Sequence, residues 1–209
     1  MSGSSSSETL AVLKAQADEQ LRNGLFEDAV EAFSACVAIE PRDAGALQGR
    51  ARALFQLKRW AEASADFRAA KDADPADPES WVGLGMSLAM ANQVYPAVDV
   101  LEELVATHPE CVRGQIQLGL LYFQLSLVAK GRQRMQEGLA HRPTLSQRRF
   151  IESVLQEQAK LDCKRYYRPD FEALNQQPSC GVLAAVVHRV QGWLRRGPRG
   201  GSKVQCLVL

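Results

Sequence analysis

Small and large apolar residues recur along the first two-thirds of the chain with a period of 34 residues. Prolines stand at Pro41, Pro75, Pro109 and Pro143, and no insertion breaks the register. Ala29, Ala63, Ala97 and Gly131 each lie 12 residues before their proline, and Phe33, Phe67, Leu101 and Met135 lie 8 before. Cys36, Ala70, Leu104 and Gly138 lie 5 before, and Ala17, Ala51, Gly85 and Gly119 lie 24 before. Small residues at fixed points let two antiparallel helices approach closely. A large apolar residue then fills the gap between hairpins. The proline ends the second helix because it has no N–H to donate.

The pattern predicts helical hairpins over 8–41, 42–75, 76–109 and 110–143, after a disordered N-terminus over 1–7. Capping signals agree. Ser5 and Glu8 have the spacing of a capping box for the first helix. Asp77-Pro78-Glu79 supplies an N-cap, a proline in the first turn and an acid beside the positive end of the helix dipole. Thr144 and Gln147 are spaced to cap one further helix over 144–162. Its polar face (Gln147, Arg148, Arg149, Glu152, Gln156, Lys160) suits the lid that a stack of repeats requires.

These residues resemble the tetratricopeptide repeat family. The third repeat carries Trp81, Leu84, Gly85, Ala97 and Pro109 at the family's positions. The fourth carries Leu118, Gly119, Tyr122 and Pro143, the first Gly24, Phe26, Ala29, Phe33 and Pro41, and the second Ala51, Trp60, Ala63, Phe67, Ala70 and Pro75. Gln16 and Arg50 stand where an apolar residue is usual, and Gly131 and Gly138 are expected to weaken the last hairpin. The resemblance implies an all-α, right-handed α-solenoid of four such hairpins plus a capping helix and a short amphipathic C-terminal helix.

In that family the first helix of each hairpin lines an inner groove. Carried across by the repeat offset, the groove positions are Lys14, Asp18 and Leu21, then Gln48, Arg52 and Phe55, then Val82, Met86 and Met90, then Ile116, Leu120 and Phe123. The expected groove is polar at one end and apolar at the other, which suits an amphipathic helix or an extended apolar peptide. The alternative is that several of these side chains only pack helix against helix. Some family members hold the acidic tails of heat-shock chaperones through a clamp of Lys and Asn residues. Of its five positions only Lys14 matches, and Asp18, Gly49, Glu79 and Gly83 fill the rest. Two acids and two glycines supply no convergent donors for a terminal carboxylate, so this clamp is not expected to operate.

Charge changes the picture only near the C-terminus. Residues 1–163 hold 17 Lys/Arg against 22 Asp/Glu, and residues 164–209 hold 8 against 2. The net charge of +1 points to no nucleic acid. After an irregular linker over 163–180, residues 181–196 read as a basic amphipathic helix, with Leu183, Val186, Val187, Val190 and Leu194 on one stripe. A flexible tail over 197–209 ends in Cys206-Leu207-Val208-Leu209, which resembles a prenylation box of the geranylgeranyl type. One lipid chain anchors weakly. Arg189, Arg195, Arg196, Arg199 and Lys203, with Trp193, are the expected second contact with an anionic membrane surface. Cys180 is a weaker candidate for palmitoylation.

Nothing else in the chain carries chemistry. The five cysteines form no C-x-x-C pair, so neither a disulfide framework nor a zinc site is expected. No catalytic residues, cofactor or metal ligands are assigned, and Cys36 is expected to be a buried, inert thiol. The N-terminus has no signal-peptide core, and Ser2 excludes myristoylation. The expectation is therefore a monomeric, non-catalytic adaptor or scaffold for a protein or peptide partner, cytoplasmic and peripheral on membranes through its lipid. The alternative is a soluble co-chaperone or assembly subunit whose C-terminal helix docks on its own solenoid.

Overall fold

The computed structural model describes the backbone of residues 3–166 and the side chains of residues 9–162. Among the described residues the chain is entirely helical. The helices are α1 (Gly3–Arg22), α2 (Phe26–Ile39), α3 (Ala44–Gln56), α4 (Trp60–Ala73), α5 (Pro78–Met90), α6 (Val94–Thr107), α7 (Val112–Gln124), α8 (Val128–Ala140) and α9 (Leu145–Tyr166). The chain divides into two compact units, Met1–Glu157 and Gln158–Leu209. The first unit holds α1 to α8 and the first half of α9.

Each helix from α1 to α7 packs on its successor, so the first unit is a run of antiparallel hairpins. Odd-numbered helices also touch one another across hairpins, α1 to α3, α3 to α5 and α5 to α7, and even-numbered helices make no comparable contacts. The odd helices therefore form the tighter, inner layer. The hairpin turns repeat as faithfully as the helices. Gly24, Lys58, Asn92 and Ser126 all have φ between 62° and 79°. A left-handed residue thus closes each turn, and in three of four it is not glycine, at a local cost of about 1–2 kcal/mol.

Helix ends follow local chemistry. The Asp43 carboxylate accepts from the Gly45 and Ala46 amides at 2.9 and 3.3 Å and caps α3. Asp77 does the same for α5 from Glu79 and Ser80, with Pro78 in the first turn. Thr144 and Gln147 form a reciprocal capping box: the Thr144 amide donates to Gln147 Oε1 (2.9 Å) and the Gln147 amide to Thr144 Oγ1 (3.3 Å). The box at Ser5 and Glu8 is different. α1 begins at Gly3, so both residues lie inside the helix, which takes in residues 3–7. A run of serines carries no steric bar to helix, only a weak preference against it.

The core is built from large side chains received by glycines. A Cβ at Gly49 would overlap the Phe33 ring, and one at Gly83 would overlap the Phe67 ring. These contacts join consecutive hairpins. Within hairpins, Leu101 fills the space over Gly85 and the Phe123 ring that over Gly131. Trp81 Nε1 donates to the Pro75 carbonyl (3.1 Å), and one repeat later Gln115 Nε2 donates to the Pro109 carbonyl (3.3 Å). A neutral amide thus takes the place of an indole at the same joint. Arg50, out of pattern in the sequence, is balanced across the α3–α4 hairpin. Its Nε and Nη2 donate to the two oxygens of Asp66 at 2.6 and 2.7 Å.

α9 closes the first unit with Ile151, fully buried in a cluster with Val112, Ile116 and Met135. Its outward positions Arg148, Arg149, Glu152 and Gln156 are exposed, and so are Leu145 and Phe150.

The two glycines of α8 have opposite roles. Gly131 is required by the Phe123 ring, 2.6 Å from where a Cβ would stand, whereas at Gly138 the nearest atoms are 3.4 and 3.5 Å away, ordinary contact. Gly131→Ala is expected to destabilise by about 1–2 kcal/mol, overpacking outweighing the gain in helix propensity. Gly138→Ala is expected to stabilise by up to about 1 kcal/mol. Thermal melts of the two variants should move in opposite directions from wild type.

Candidate inner-face peptide cleft

A cleft of about 500 Å³ opens on the odd-helix face. Leu21, Phe26, Phe55, Phe67 and Met86 give it apolar walls, and Arg52, Gln56, Glu79 and Arg113 give it a polar rim. Gly83 also lines it. With no side chain there, the Phe67 ring reaches through to the cleft. Phe55 is fixed by Trp60, ring centroids 4.7 Å apart and edge to face at 67°. On the rim, Arg113 donates to the Glu79 carboxylate, tying α7 to α5. Arg52 is exposed, and its Nη2 donates to Gln48 Oε1 at 2.8 Å.

The sequence-derived groove overlaps this cleft only in part. Arg52, Phe55 and Met86 line it, together with Leu21. Val82 is fully buried in the central apolar cluster, and Ile116 is buried in the cluster that includes Ile151. Neither offers surface to a partner. Leu120 and Phe123 are half-buried against that last cluster, Phe123 over Gly131. Met90 is exposed at the end of α5. The strict 34-residue step from Phe55 falls on Ala89, half-buried against the core. The expected apolar half of the groove is therefore mostly internal packing.

Lys14 also has a structural partner. Its Nζ donates to both Asp43 oxygens, at 3.0 and 2.7 Å, across the α1–α3 joint. One repeat on, Gln48 Nε2 donates to Asp77 at 2.6 Å. The next pair at these positions, Val82 and Cys111, belongs to the apolar cluster. Positions 14, 48 and 82 are thus joints between hairpins and not groove lining. The cleft residues missed from sequence were Phe26, Gln56, Phe67, Glu79, Gly83 and Arg113. A signal existed for some: Glu79 and Arg113 are one repeat apart, and Glu79 and Gly83 occupy clamp positions.

Those clamp positions hold no cation cluster. Lys14 is bound to Asp43, Asp18 is exposed, Glu79 is paired with Arg113, and the Phe33 and Phe67 rings lie over Gly49 and Gly83.

A second hollow of about 320 Å³ lies among Glu102, Tyr122, Lys130, Gln133 and Arg134. The Tyr122 hydroxyl donates to Glu102, and Lys130 Nζ stands 5.5 Å from the ring centroid. Burial, and then the hydrogen bond to Glu102, push the Tyr122 hydroxyl up to about 12. It is a fixed donor and not a proton shuttle at neutral pH. Burial likewise raises the Cys36 and Cys111 thiols, which keeps them protonated. Among the described residues no three His, Cys, Asp or Glu side chains are grouped to hold a metal ion. No helix among them is long and apolar enough to cross a membrane. Cys206, Arg189, Trp193, Arg195, Arg196, Arg199 and Lys203 lie outside the described residues.

Residues 14–78 match a family model described as tetratricopeptide repeat. No curated protein matches the sequence. Solved structures do. A thermophilic tetratricopeptide protein of Thermus thermophilus aligns at TM-score 0.61 and 21% identity, over 69% of this chain and 80% of that one. MamA from residue 41 onward, of Desulfovibrio magneticus RS-1, aligns at 0.60 and 22%, over 81% and 97%. The fold is a tetratricopeptide solenoid. A third similar structure, at TM-score 0.52 and 18% identity over 55% of this chain and 96% of that one, is the second tetratricopeptide domain of human RPAP3 in complex with an HSP70 peptide.

The Lys14–Asp43 joint should make stability depend on pH. Burial alone would raise the Asp43 carboxyl, but the hydrogen bond from Lys14 and those from the Ala46 and Gly45 amides outweigh it and hold it below its ordinary value. A lowered folded value means the ionised form stabilises the fold. That contribution is present above the unfolded value and is lost as pH falls through the folded one. Asp43→Asn keeps a capping oxygen and removes the charge. The variant should be less stable than wild type at neutral pH by about 0.5–1 kcal/mol. The gap should close as pH drops below about 4, read from urea unfolding at a series of pH values.

Proposed function

We propose that this chain is a non-catalytic interaction module, and that the cleft across α1, α3, α5 and α7 receives a segment of a partner polypeptide. The observation that carries this is the cleft itself, with apolar walls, a charged rim and a location on the inner layer of a solenoid. Rigid helices hold its residues in place without a ligand, which lowers the ordering cost of binding. Solved tetratricopeptide domains that carry bound chaperone peptides support a peptide as the class of ligand. The missing clamp argues against a chaperone tail held in the usual way.

We further propose that Cys206 receives a geranylgeranyl group, and that the basic residues preceding it carry the module to a cytoplasmic membrane face as an adaptor. The support is the motif Cys206-Leu207-Val208-Leu209 and the excess of Lys/Arg after residue 163.

Two measurements check these readings. Affinity capture with the full chain is expected to lose specific partners in an Arg52→Glu/Met86→Asp variant whose helical circular dichroism and melting match wild type. Full retention of every partner would place the binding surface elsewhere. Metabolic labelling with a geranylgeranyl analogue is expected to mark wild type and not Cys206→Ser. No label on wild type, with the chain wholly in the soluble fraction, would favour a soluble assembly subunit instead.

A further inference from the structure

The cleft contains two cations with different circumstances. Arg113 already has a carboxylate, that of Glu79. Arg52 has none within ion-pair distance among the described residues, and its hydrogen bond goes to the neutral Gln48 oxygen. Four other cations of the first unit are paired, Lys14 with Asp43, Arg50 with Asp66, Arg59 with Glu62 and Arg134 with Glu137, but none of them lines the cleft. The same cleft is lined by Phe55, Met86 and, at the space left by Gly83, the buried Phe67 ring.

Any ligand that covers this floor also strips water from the Arg52 guanidinium. A purely apolar segment would leave that charge buried without a partner, and a basic segment would add repulsion. A carboxylate beside an apolar side chain satisfies both surfaces together, through a charge-assisted and in places bidentate pair. The 500 Å³ cleft holds one or two side chains and not the whole face of a helix. A chain terminus gains nothing here. The positions that would converge on a terminal carboxylate are held by Asp18, Glu79 and two glycines with aromatic rings over them.

We propose that the cleft recognises an internal, extended segment of a partner polypeptide. One bulky apolar side chain rests on Phe55 and Met86, above the buried Phe67 ring, and an adjacent Asp or Glu side chain pairs with Arg52. This rests on the reading of the inner face as a polypeptide-binding surface and specifies its ligand. Gly83 is the enabling position, because the aromatic floor occupies the place where other tetratricopeptide domains put a clamp side chain.

The test is selection of random peptides of about twelve residues, displayed between Gly-Ser flanks, against the full chain. Enriched sequences are then synthesised with acetylated and amidated ends, and affinities are read by fluorescence anisotropy. Enriched peptides are expected to pair a large apolar residue with Asp or Glu, and to bind equally well with a free or an amidated C-terminus. Arg52→Glu is expected to weaken them about tenfold and to favour versions with Lys in place of the acid. Arg68→Glu, an equal charge change on an exposed residue of α4 outside the cleft, is expected to leave them unchanged. Enriched peptides without acids, or with affinities indifferent to Arg52→Glu, would overturn the inference and leave the interaction reading standing. No enrichment at all would sink both.

Discussion

The close approach of neighbouring helices is the constraint on which this structure depends. An aromatic ring from one helix occupies the space where the facing helix has no side chain: Phe33 over Gly49 and Phe67 over Gly83 between hairpins, Phe123 over Gly131 within one. Leu104 does the same over Gly114 at the α6–α7 joint. A methyl group at these glycines would collide with a side chain already packed there, and in a close-packed interior that side chain or its helix must shift. The strict 34-residue period follows. An insertion of even one residue would rotate a helix by roughly 100° and carry the glycine away from its ring.

The joints between hairpins show how one geometry admits different chemistries. A cation and a carboxylate meet at the first joint and an amide and a carboxylate at the second, while apolar residues occupy the same positions at the third. Each solution leaves no buried polar group of the pair unpartnered, which is the condition that matters when a joint is covered. The Trp81 and Gln115 hydrogen bonds to the preceding proline carbonyls vary in the same manner. The Gln115 exchange is less complete, because its Oε1 is buried without a partner.

The cleft exists because the repeats are not identical. It forms where Gly83 leaves only the buried Phe67 ring beneath the surface and where Arg52 and Phe55 stand on the facing helix. Farther along, Ala89, Leu120 and Phe123 stand at the positions of Phe55 and Arg52 and are half-buried against the core. A binding surface of this kind is a local departure from the repeat laid over a regular frame. That is why the frame alone says little about the ligand.

The fold can be read directly from the sequence. Prolines, small residues and large apolar residues recurring every 34 positions specify hairpin length, stop signals and packing partners, all of which are local or nearest-neighbour properties. The caps at Asp77 and Thr144 are equally visible, since capping depends on residues three apart. Which inner-layer residues reach solvent is not written locally. Lys14 and Val82 occupy equivalent positions to the eye of a repeat alignment. Yet one is tied to Asp43 and the other is sealed in the core, because each answer depends on a side chain about 29 residues away on the next hairpin. The same holds for the aromatic ring that packs beneath Gly83 in the cleft, and for Arg113 engaging Glu79 while Arg52 pairs with no acid among the described residues. Those are properties of three helices meeting in space, and they come into being only when the hairpins pack.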